Sequence, residues 1–235
     1  MIHITLPSAK TPRRLVFYLA MEEHLADHVG EEDLLFLWQV TPTVIFGRNQ
    51  VMENEVNIPY CREHQIAMYR RKSGGGCVYA DWGNLMISLI THRTEVPVVF
   101  PRYMQMLQQV LEDMGLPAVT TANNDVLIQG KKVSGNALFL KPSGCVVHGT
   151  MLYDLDIETM VHAITPSAEK VHKHGIASVR QRCVNLRDLG VPDMDTVKRH
   201  LLSQCTSERM LTPSELAAVE GIEQEYLDEN FIHGA

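Results

Sequence analysis

The chain has 235 residues, 45% of them apolar and 21% charged, a balance typical of a globular protein with one large domain or two small ones. Its net charge of −7 argues against broad nucleic-acid binding, which usually requires a basic surface. The sequence shows no signal peptide and no apolar run of membrane-spanning length. Its five scattered cysteines suggest neither a disulfide framework nor a zinc site, so we expect a reducing, cytoplasmic environment.

Apolar periodicity in the first half of the chain predicts one long helix followed by short strands. Residues 13–29 have the spacing of an amphipathic helix. Segments 34–40 and 43–46 are strand-like, and the Thr41-Pro42 break between them predicts that they pair with each other. The remaining predicted elements of this half are a short helix at 59–65 and strands at 66–69, 78–79 and 85–90.

The second half of the chain predicts a helix, an antiparallel meander and then further helices. The meander is predicted because Gly130 and Pro142-Ser143-Gly144 are turn signals between apolar segments. Strands and helices do not alternate here, which argues against a doubly wound nucleotide-binding fold. We therefore predict an α+β (mixed α/β) fold with a largely antiparallel sheet flanked by helices. The predicted elements are a helix at 102–114, strands at 126–129, 132–140 and 145–153, and helices at 194–201 and 213–226.

A glycine-rich stretch follows a basic cluster, in the order Arg70-Arg71-Lys72-Ser73-Gly74-Gly75-Gly76-Cys77. Glycines lack Cβ atoms, so their backbone N–H groups can approach an anion closely. Arg71 adds a guanidinium suited to a two-pronged contact with a phosphate or carboxylate. The stretch is typical of a cradle for an acidic ligand, although a flexible turn at a strand entrance explains an isolated Gly-rich loop equally well.

Two further stretches carry residues suited to ligand chemistry. Asn124 and Asp125 lie just before a predicted strand, where a carboxylate can coordinate Mg²⁺. Lys132 follows the next turn and can neutralise charge on a carboxylate and a phosphate, although a solvated hairpin tip is the more common fate of a Lys-Lys pair. His148 and Thr150 flank a glycine within a strand and either line a pocket wall or belong to the core.

A fourth stretch, residues 173–182, combines histidine, glycine and arginine. It is either a basic loop that closes over an anion or a solvated connector. His172 and His174 have no nearby third ligand in sequence, so a metal site there is not expected.

Taken together and in order, these motifs resemble the lipoate–protein ligase A family. They are Arg-x-Ser-Gly-Gly-Gly, Asn-Asp, Gly-Lys-Lys-x-Ser-Gly-x-Ala, His-Gly-Thr-x-Leu and Gly-Ile-x-Ser-Val-Arg, and the similarity runs from about Gly47 to Leu186. The resemblance implies a catalytic fold shared with biotin ligases and, more distantly, with class II aminoacyl-tRNA synthetases. It also implies ATP- and Mg²⁺-dependent activation of lipoate to lipoyl-adenylate, followed by lipoyl transfer to a lysine of a lipoyl domain or glycine-cleavage H protein.

The same resemblance assigns roles to individual residues. Lys132 corresponds to the family lysine that contacts the acyl carbonyl and phosphate oxygens, and Asp125 is implied to bind Mg²⁺. The residues implied to surround the adenylate and acyl chain are Arg71, Ser73, Gly74, Gly75, Gly76, Cys77, Tyr79, Asn124, Ala137, His148 and Thr150. An apolar slot for the aliphatic tail is expected from Val78, Tyr79, Leu85 and Val147.

Two departures from the family pattern leave alternatives open. Ala80 stands where the family commonly has histidine. The chain, interpreted as a single catalytic domain over 1–235, also stops before the family's small C-terminal accessory domain, so adenylation is expected to need a separate partner protein or a preformed acyl donor. One alternative is an octanoyl- or lipoyl-transferase that forms a thioester at Cys77 or Cys145. Another is a non-catalytic binder of lipoate or adenylate.

Overall fold

The computed structural model describes residues 1–7, 12–164 and 182–234. Its strands are β1 (Ile2–Thr5), β2 (Leu34–Trp38), β3 (Thr43–Phe46), β4 (Ala67–Arg70), β5 (Val78–Ala80), β6 (Asn84–Thr91), β7 (Ala118–Thr120), β8 (Asp125–Ile128), β9 (Lys131–Leu140), β10 (Cys145–Leu152) and β11 (Ser207–Met210). Its α-helices are α1 (Leu15–His28), α2 (Met52–Glu55), α3 (Ile58–Glu63), α4 (Val96–Asp113), α5 (Ile157–Ala163), α6 (Met194–Leu202), α7 (Pro213–Tyr226) and α8 (Glu229–His233). A 3₁₀ turn covers Arg187–Leu189.

Two sheets organise the described part of the chain. The larger sheet has the strand order β11-β1-β2-β6-β10-β9-β8-β7, and the smaller one has the order β4-β3-β5. Within the larger sheet, pairing is antiparallel from β2 through β7, and only the β11–β1 and β1–β2 pairs are parallel. The predicted α+β fold with a largely antiparallel sheet is confirmed.

Helices cover both faces of the larger sheet because its central strands are apolar on both sides. Helix α1 packs with α7 over one face, where Phe17, Leu25 and Ile90 belong to a single buried cluster. Helices α4 and α6 cover the opposite face around Leu107 and Val147. No helix among the described residues is long and apolar enough to cross a bilayer.

The prediction that segments 34–40 and 43–46 pair with each other is wrong. Strand β2 pairs with β1 and β6, whereas β3 lies between β4 and β5 in the smaller sheet. Every residue of β3 is buried, so this strand requires neighbours on both edges rather than a single hairpin partner. Residues 41–42 therefore carry the chain from one sheet to the other, and the Pro42 carbonyl accepts a hydrogen bond from the Ala67 N–H.

Helix α4 begins at Val96, six residues before the predicted start at Arg102. Pro97 and Pro101 obscured this first part of the helix in the sequence. Pro97 lies in the first turn, where a missing N–H has no consequence, and Pro101 forgoes one backbone hydrogen bond inside the helix. Strands β1 and β11 were not predicted because each is only four residues long, and β11 also lacks apolar alternation.

Candidate functional site

Residues from the second and third sequence motifs meet on one face of the larger sheet. Successive side chains of a strand point to opposite faces, so His148 and Thr150 share the face covered by α1. Ala137 is the cross-strand partner of His148 on β9, and this places it on the same face. The Thr150 hydroxyl accepts a hydrogen bond from the Gly135 N–H at 3.1 Å, which links the two strands. Three predicted site residues therefore form a continuous wall.

Lys132 and Asp125 form an ion pair at the end of this wall. Lys132 Nζ lies 2.8 Å from Asp125 Oδ1, and both side chains are partly exposed. The Lys132 side chain crosses over Gly135, where a Cβ atom would lie only 2.4 Å from Nζ. A glycine at this position leaves the space that the lysine side chain occupies as it reaches the carboxylate. Asn124, which precedes Asp125, has the left-handed backbone conformation at φ 65° that asparagine tolerates better than most residues.

The glycine-rich loop packs against the segment that follows β3. The Arg48 N–H donates to the Ser73 carbonyl at 3.0 Å. A Cβ on Gly47 would lie 2.0 Å from the Gly75 carbonyl oxygen, and Gly75 itself has φ 94°. Both glycines are therefore needed for the close approach of the two backbones, whereas Gly74 and Gly76 have open space at their Cβ positions.

The guanidinium of Arg71, predicted to contact an anionic ligand, is engaged within the protein in this structure. The side chain is buried and donates four hydrogen bonds within the protein, two to the Gly74 carbonyl and one each to the carbonyls of Gly76 and Ile45. Burial lowers the pKa of Arg71 to about 10. The sequence does not reveal that Arg71 donates to the loop, because the turn formed by the three glycines brings the Gly74 and Gly76 carbonyls to the arginine only once it has folded.

The neighbouring basic residues are also engaged within the protein, on either side of Arg71. Arg70 donates to the carbonyls of Phe231 and Ile232 in α8, at 2.9 and 3.0 Å. Lys72 forms ion pairs at 2.8 Å with Glu23 of α1 and Glu225 of α7. The basic cluster therefore anchors the loop to helices α1, α7 and α8, and among these basic side chains none faces the sheet wall as a free cation.

A buried chain of hydrogen bonds connects the loop to the interior. Ser73 Oγ lies 2.9 Å from His148 Nε2, and His148 Nδ1 lies 2.8 Å from Glu22 Oε2. The other oxygen of Glu22 accepts a hydrogen bond from Ser88 Oγ at 2.5 Å, and Ser88 Oγ accepts one from Trp38 Nε1 at 2.9 Å. Each polar side chain of this hydrogen-bonded chain thereby has a partner, which avoids the cost of burying it alone.

The sequence predictions did not include Glu22, Ser88 or Trp38. Glu22 gave one available signal, because a carboxylate stands there among the apolar residues of α1, a helix that is buried over most of its surface. A buried acidic residue in such a position requires a partner of its own. Ser88 and Trp38 gave no comparable signal, since their contacts arise only from the register of β2, β6 and β10.

The prediction for the apolar slot is partly wrong. Leu85 and Val147 point to the α4 face of the sheet and lie in the cluster opposite the site. Each has a strand neighbour whose side chain points the other way, and Met86 and His148 therefore occupy the site face. Val78 packs against the cluster beneath α1, and Tyr79 and Leu152 are buried together against the smaller sheet. Ala80 is fully buried in the same α1 cluster as Val78.

The two candidate thiols for a thioester intermediate lie in unfavourable surroundings. Burial raises the pKa of Cys77 to about 12 and that of Cys145 to about 11. Cys145 is also fully buried on the α4 side of the sheet. Cys183 lies beside Lys132 through a parallel backbone bridge, and burial raises its pKa as well. The basic motif at residues 173–181 and the histidines at 172 and 174 lie outside the described residues.

Solved structures with the same fold define the class of this protein. A chain from the bi-partite lipoate protein ligase and E2 lipoyl domain system of Thermoplasma acidophilum superposes with a TM-score of 0.88 at 25% identity, over 99% of this chain and 96% of that chain. A crystal structure of lipoate-protein ligase A bound with ATP gives a TM-score of 0.85 at 23% identity, over 99% of this chain and 98% of that chain. The fold is that of lipoate–protein ligases.

Sequence comparison then identifies the family. The family model of the lipoyl protein ligase A/B catalytic domain matches residues 15–206. The lipoate-protein ligase LplJ of Bacillus subtilis is 35% identical over 188 residues, which cover 78% of this chain and 57% of that protein. The chain spans about half the length of the curated relatives it matches. It belongs to the lipoyl protein ligase A/B catalytic-domain family, as the ordered motifs predicted.

Proposed function

We propose that this chain activates lipoate with ATP to lipoyl-adenylate and transfers the lipoyl group to a lysine of lipoyl-domain proteins. One observation carries the proposal. In a chain of this family, Lys132, Asp125, Thr150 and His148 share one sheet face, and Ser73 ties the glycine loop to His148. Relatives named as lipoate–protein ligases, and the solved ligase bound with ATP, support the choice of substrates.

The first proposed step joins two anions. A lipoate carboxylate oxygen attacks the α-phosphorus of ATP, a new acyl–phosphate bond forms, and the bond to the leaving pyrophosphate breaks. Positioning and charge neutralisation are the main requirements for such a reaction. Lys132 supplies the nearby ammonium group, and its partner Asp125 releases or shares that group as the phosphate enters.

Asp125 also fits a role as the protein ligand of Mg²⁺. Among the described residues, no three His, Cys, Asp or Glu side chains form a protein-only metal site. Mg²⁺ is commonly held by one or two carboxylates together with substrate phosphates and water, an arrangement that a single aspartate beside an ATP site supports. When bound, the ion supplies positive charge to the phosphates.

In the second proposed step, the amine of the acceptor lysine attacks the acyl carbonyl. A C–N bond forms, the C–O bond to AMP breaks, and the amine loses a proton. A thioester route through Cys77 or Cys145 is less favoured, because the raised pKa of each thiol leaves little thiolate at neutral pH. We further propose that the acceptor is a lipoyl domain and that a second protein assists adenylation, and the bi-partite lipoate protein ligase of Thermoplasma acidophilum with its E2 lipoyl domain supports both.

Mass spectrometry of an apo lipoyl domain tests the proposal. The acceptor is incubated with the purified chain, lipoate, ATP and Mg²⁺, with and without a candidate accessory protein. A parallel reaction supplies preformed lipoyl-adenylate, and another supplies octanoyl donors. Acceptor modification in the ATP reaction supports ligation, and modification only with preformed adenylate restricts the chain to transfer. No modification in any reaction refutes the proposal.

Lys132→Met and Lys131→Met provide a matched pair for the same assay. Lys131 is the exposed neighbour of Lys132 and has no part in the proposed site. We expect Lys132→Met to slow adenylation by about 10²- to 10³-fold, as loss of a charge-stabilising group typically does, and Lys131→Met to remain within about twofold. If the protein binds lipoate and Lys132→Met leaves acceptor modification unchanged, Lys132 takes no part in the reaction.

A further inference from the structure

Two glycines in neighbouring strands allow side chains to reach the turn at Asn124-Asp125 from opposite faces of the sheet. Gly135 leaves space for Lys132 on the site face. Gly149 leaves space for Asn136 on the α4 face, since a Cβ there would lie 1.8 Å from Asn136 Oδ1. The turn is therefore held from both sides.

The Asn136 side chain holds the carbonyl of Asn124. Asn136 Nδ2 donates to this carbonyl at 3.0 Å, and the Asn136 backbone N–H donates to it at 3.1 Å. Ser134 Oγ lies 3.1 Å from Asn136 Nδ2 and 3.3 Å from its Oδ1, and the Asn124 carbonyl, which can only accept, fixes the amide orientation. Two donors thus converge on the carbonyl of Asn124, the residue that carries the left-handed backbone of the turn.

We propose that Asn136 is a positioning residue for the adenylation step, acting through Asp125. The inference rests on the proposed function for its kinetic consequence and on the structure for its geometric one. The Asn124 carbonyl belongs to the peptide group that joins Asn124 to Asp125. Holding this carbonyl therefore fixes the position of the backbone from which the Asp125 side chain extends. The carboxylate then meets Lys132 Nζ at 2.8 Å. Asn136 itself points away from the site face and makes no contact with substrate.

Hydrogen–deuterium exchange tests the geometric part without any catalytic assay. Residues 121–125 form a tight turn in which the Asn124 and Asp125 N–H groups bond to the Thr121 carbonyl and hydroxyl. We expect Asn136→Ala to speed exchange in the peptide covering 121–126 by about tenfold or more, because the closed turn loses the side-chain hydrogen bond that anchors it. Asn136→Asp keeps the shape but removes the Nδ2 donor, and should behave similarly. The control is Asn123→Ala, an exposed side chain of the same turn, which should leave the exchange unchanged.

The kinetic part uses a double-mutant cycle with Asp125→Asn. We expect Asn136→Ala to lower kcat for adenylation by about 10-fold or more while the KM for lipoate stays within about twofold, because the defect is misplacement rather than lost substrate contact. If Asn136 acts through Asp125, the double variant is no slower than Asp125→Asn alone. Unchanged exchange in both Asn136 variants, or fully additive kinetic losses, overturns the proposal. A wild-type chain that fails to ligate refutes the proposed function, while the exchange measurement still decides the role of Asn136.

Discussion

Replacing Arg71 by methionine separates two roles that this arginine can have. If its guanidinium holds the glycine loop, the substitution leaves the carbonyls of Gly74, Gly76 and Ile45 without their donor. Each buried carbonyl that loses its partner costs about 1–3 kcal/mol, and relief of the buried charge offsets part of the sum. We therefore expect the free energy of unfolding to fall by about 3 kcal/mol, which corresponds to about 6–12 °C in Tm for a domain of this size.

Thermal unfolding followed by circular dichroism measures this loss. Arg62→Met, at an exposed position in α3, is the matched control and should change stability by no more than about 0.5 kcal/mol. Arg71→Lys keeps a positive charge but cannot reproduce the forked geometry, so it should lose most of the same stability. An unchanged Tm for Arg71→Met together with a KM for ATP or lipoate raised by about tenfold would refute the reasoning and restore Arg71 as an anion ligand.

Two further predictions concern the loop and the C-terminal helices. Gly47→Ala places a Cβ 2.0 Å from the Gly75 carbonyl oxygen and should lower Tm by several degrees. Gly74→Ala meets open space and should leave Tm within about a degree or two of the wild type. Equal Tm values for the two variants would contradict the close packing of the loop against Gly47. Glu215 is subject to burial, which raises its pKa, but backbone and Arg209 hydrogen bonds outweigh this and lower the pKa to about 2. Its contribution to stability is therefore fully present above its ordinary value of 4.5 and is lost as the pH falls toward 2. Urea unfolding at several pH values measures the free energy of unfolding. Because the side chain is partly exposed, we expect Glu215→Gln to reduce the loss of this free energy between pH 4.5 and pH 2 by only about 1 kcal/mol. A Glu215→Gln variant with the same pH profile as the wild type would refute the prediction.

The features that the sequence predicted correctly are local ones. The hairpin formed by β8 and β9 follows from the turn at Gly130, and the alternation along β10 places His148 and Thr150 on one face. Local spacing is enough for these features, because neighbouring residues decide both the turn and the direction of each side chain.

The features that the sequence could not predict depend on contacts between distant segments. The donor pattern of Arg71 depends on where the loop carbonyls point after the loop has folded. The link from His148 to Glu22 joins residues 126 positions apart, and no periodicity connects them. The placement of Leu85 beneath α4 rather than in the site depends on the register of β6 against β10. Pattern alone identifies the residues of such a site better than it identifies their partners.

The anchoring of Arg70 by α8 has a consequence for the order in which this protein matures during synthesis. Arg70 contacts a carbonyl 161 residues further along the chain, and Lys72 pairs with a carboxylate 153 residues further along. Contacts between segments so far apart in sequence form late, and they cannot form during synthesis until the distal segment has left the ribosome. A nascent chain can thus form the hairpin of β8 and β9 while the loop beside it is still unsecured. The loop should therefore take its final conformation only once the segment around residue 232 has been made and released.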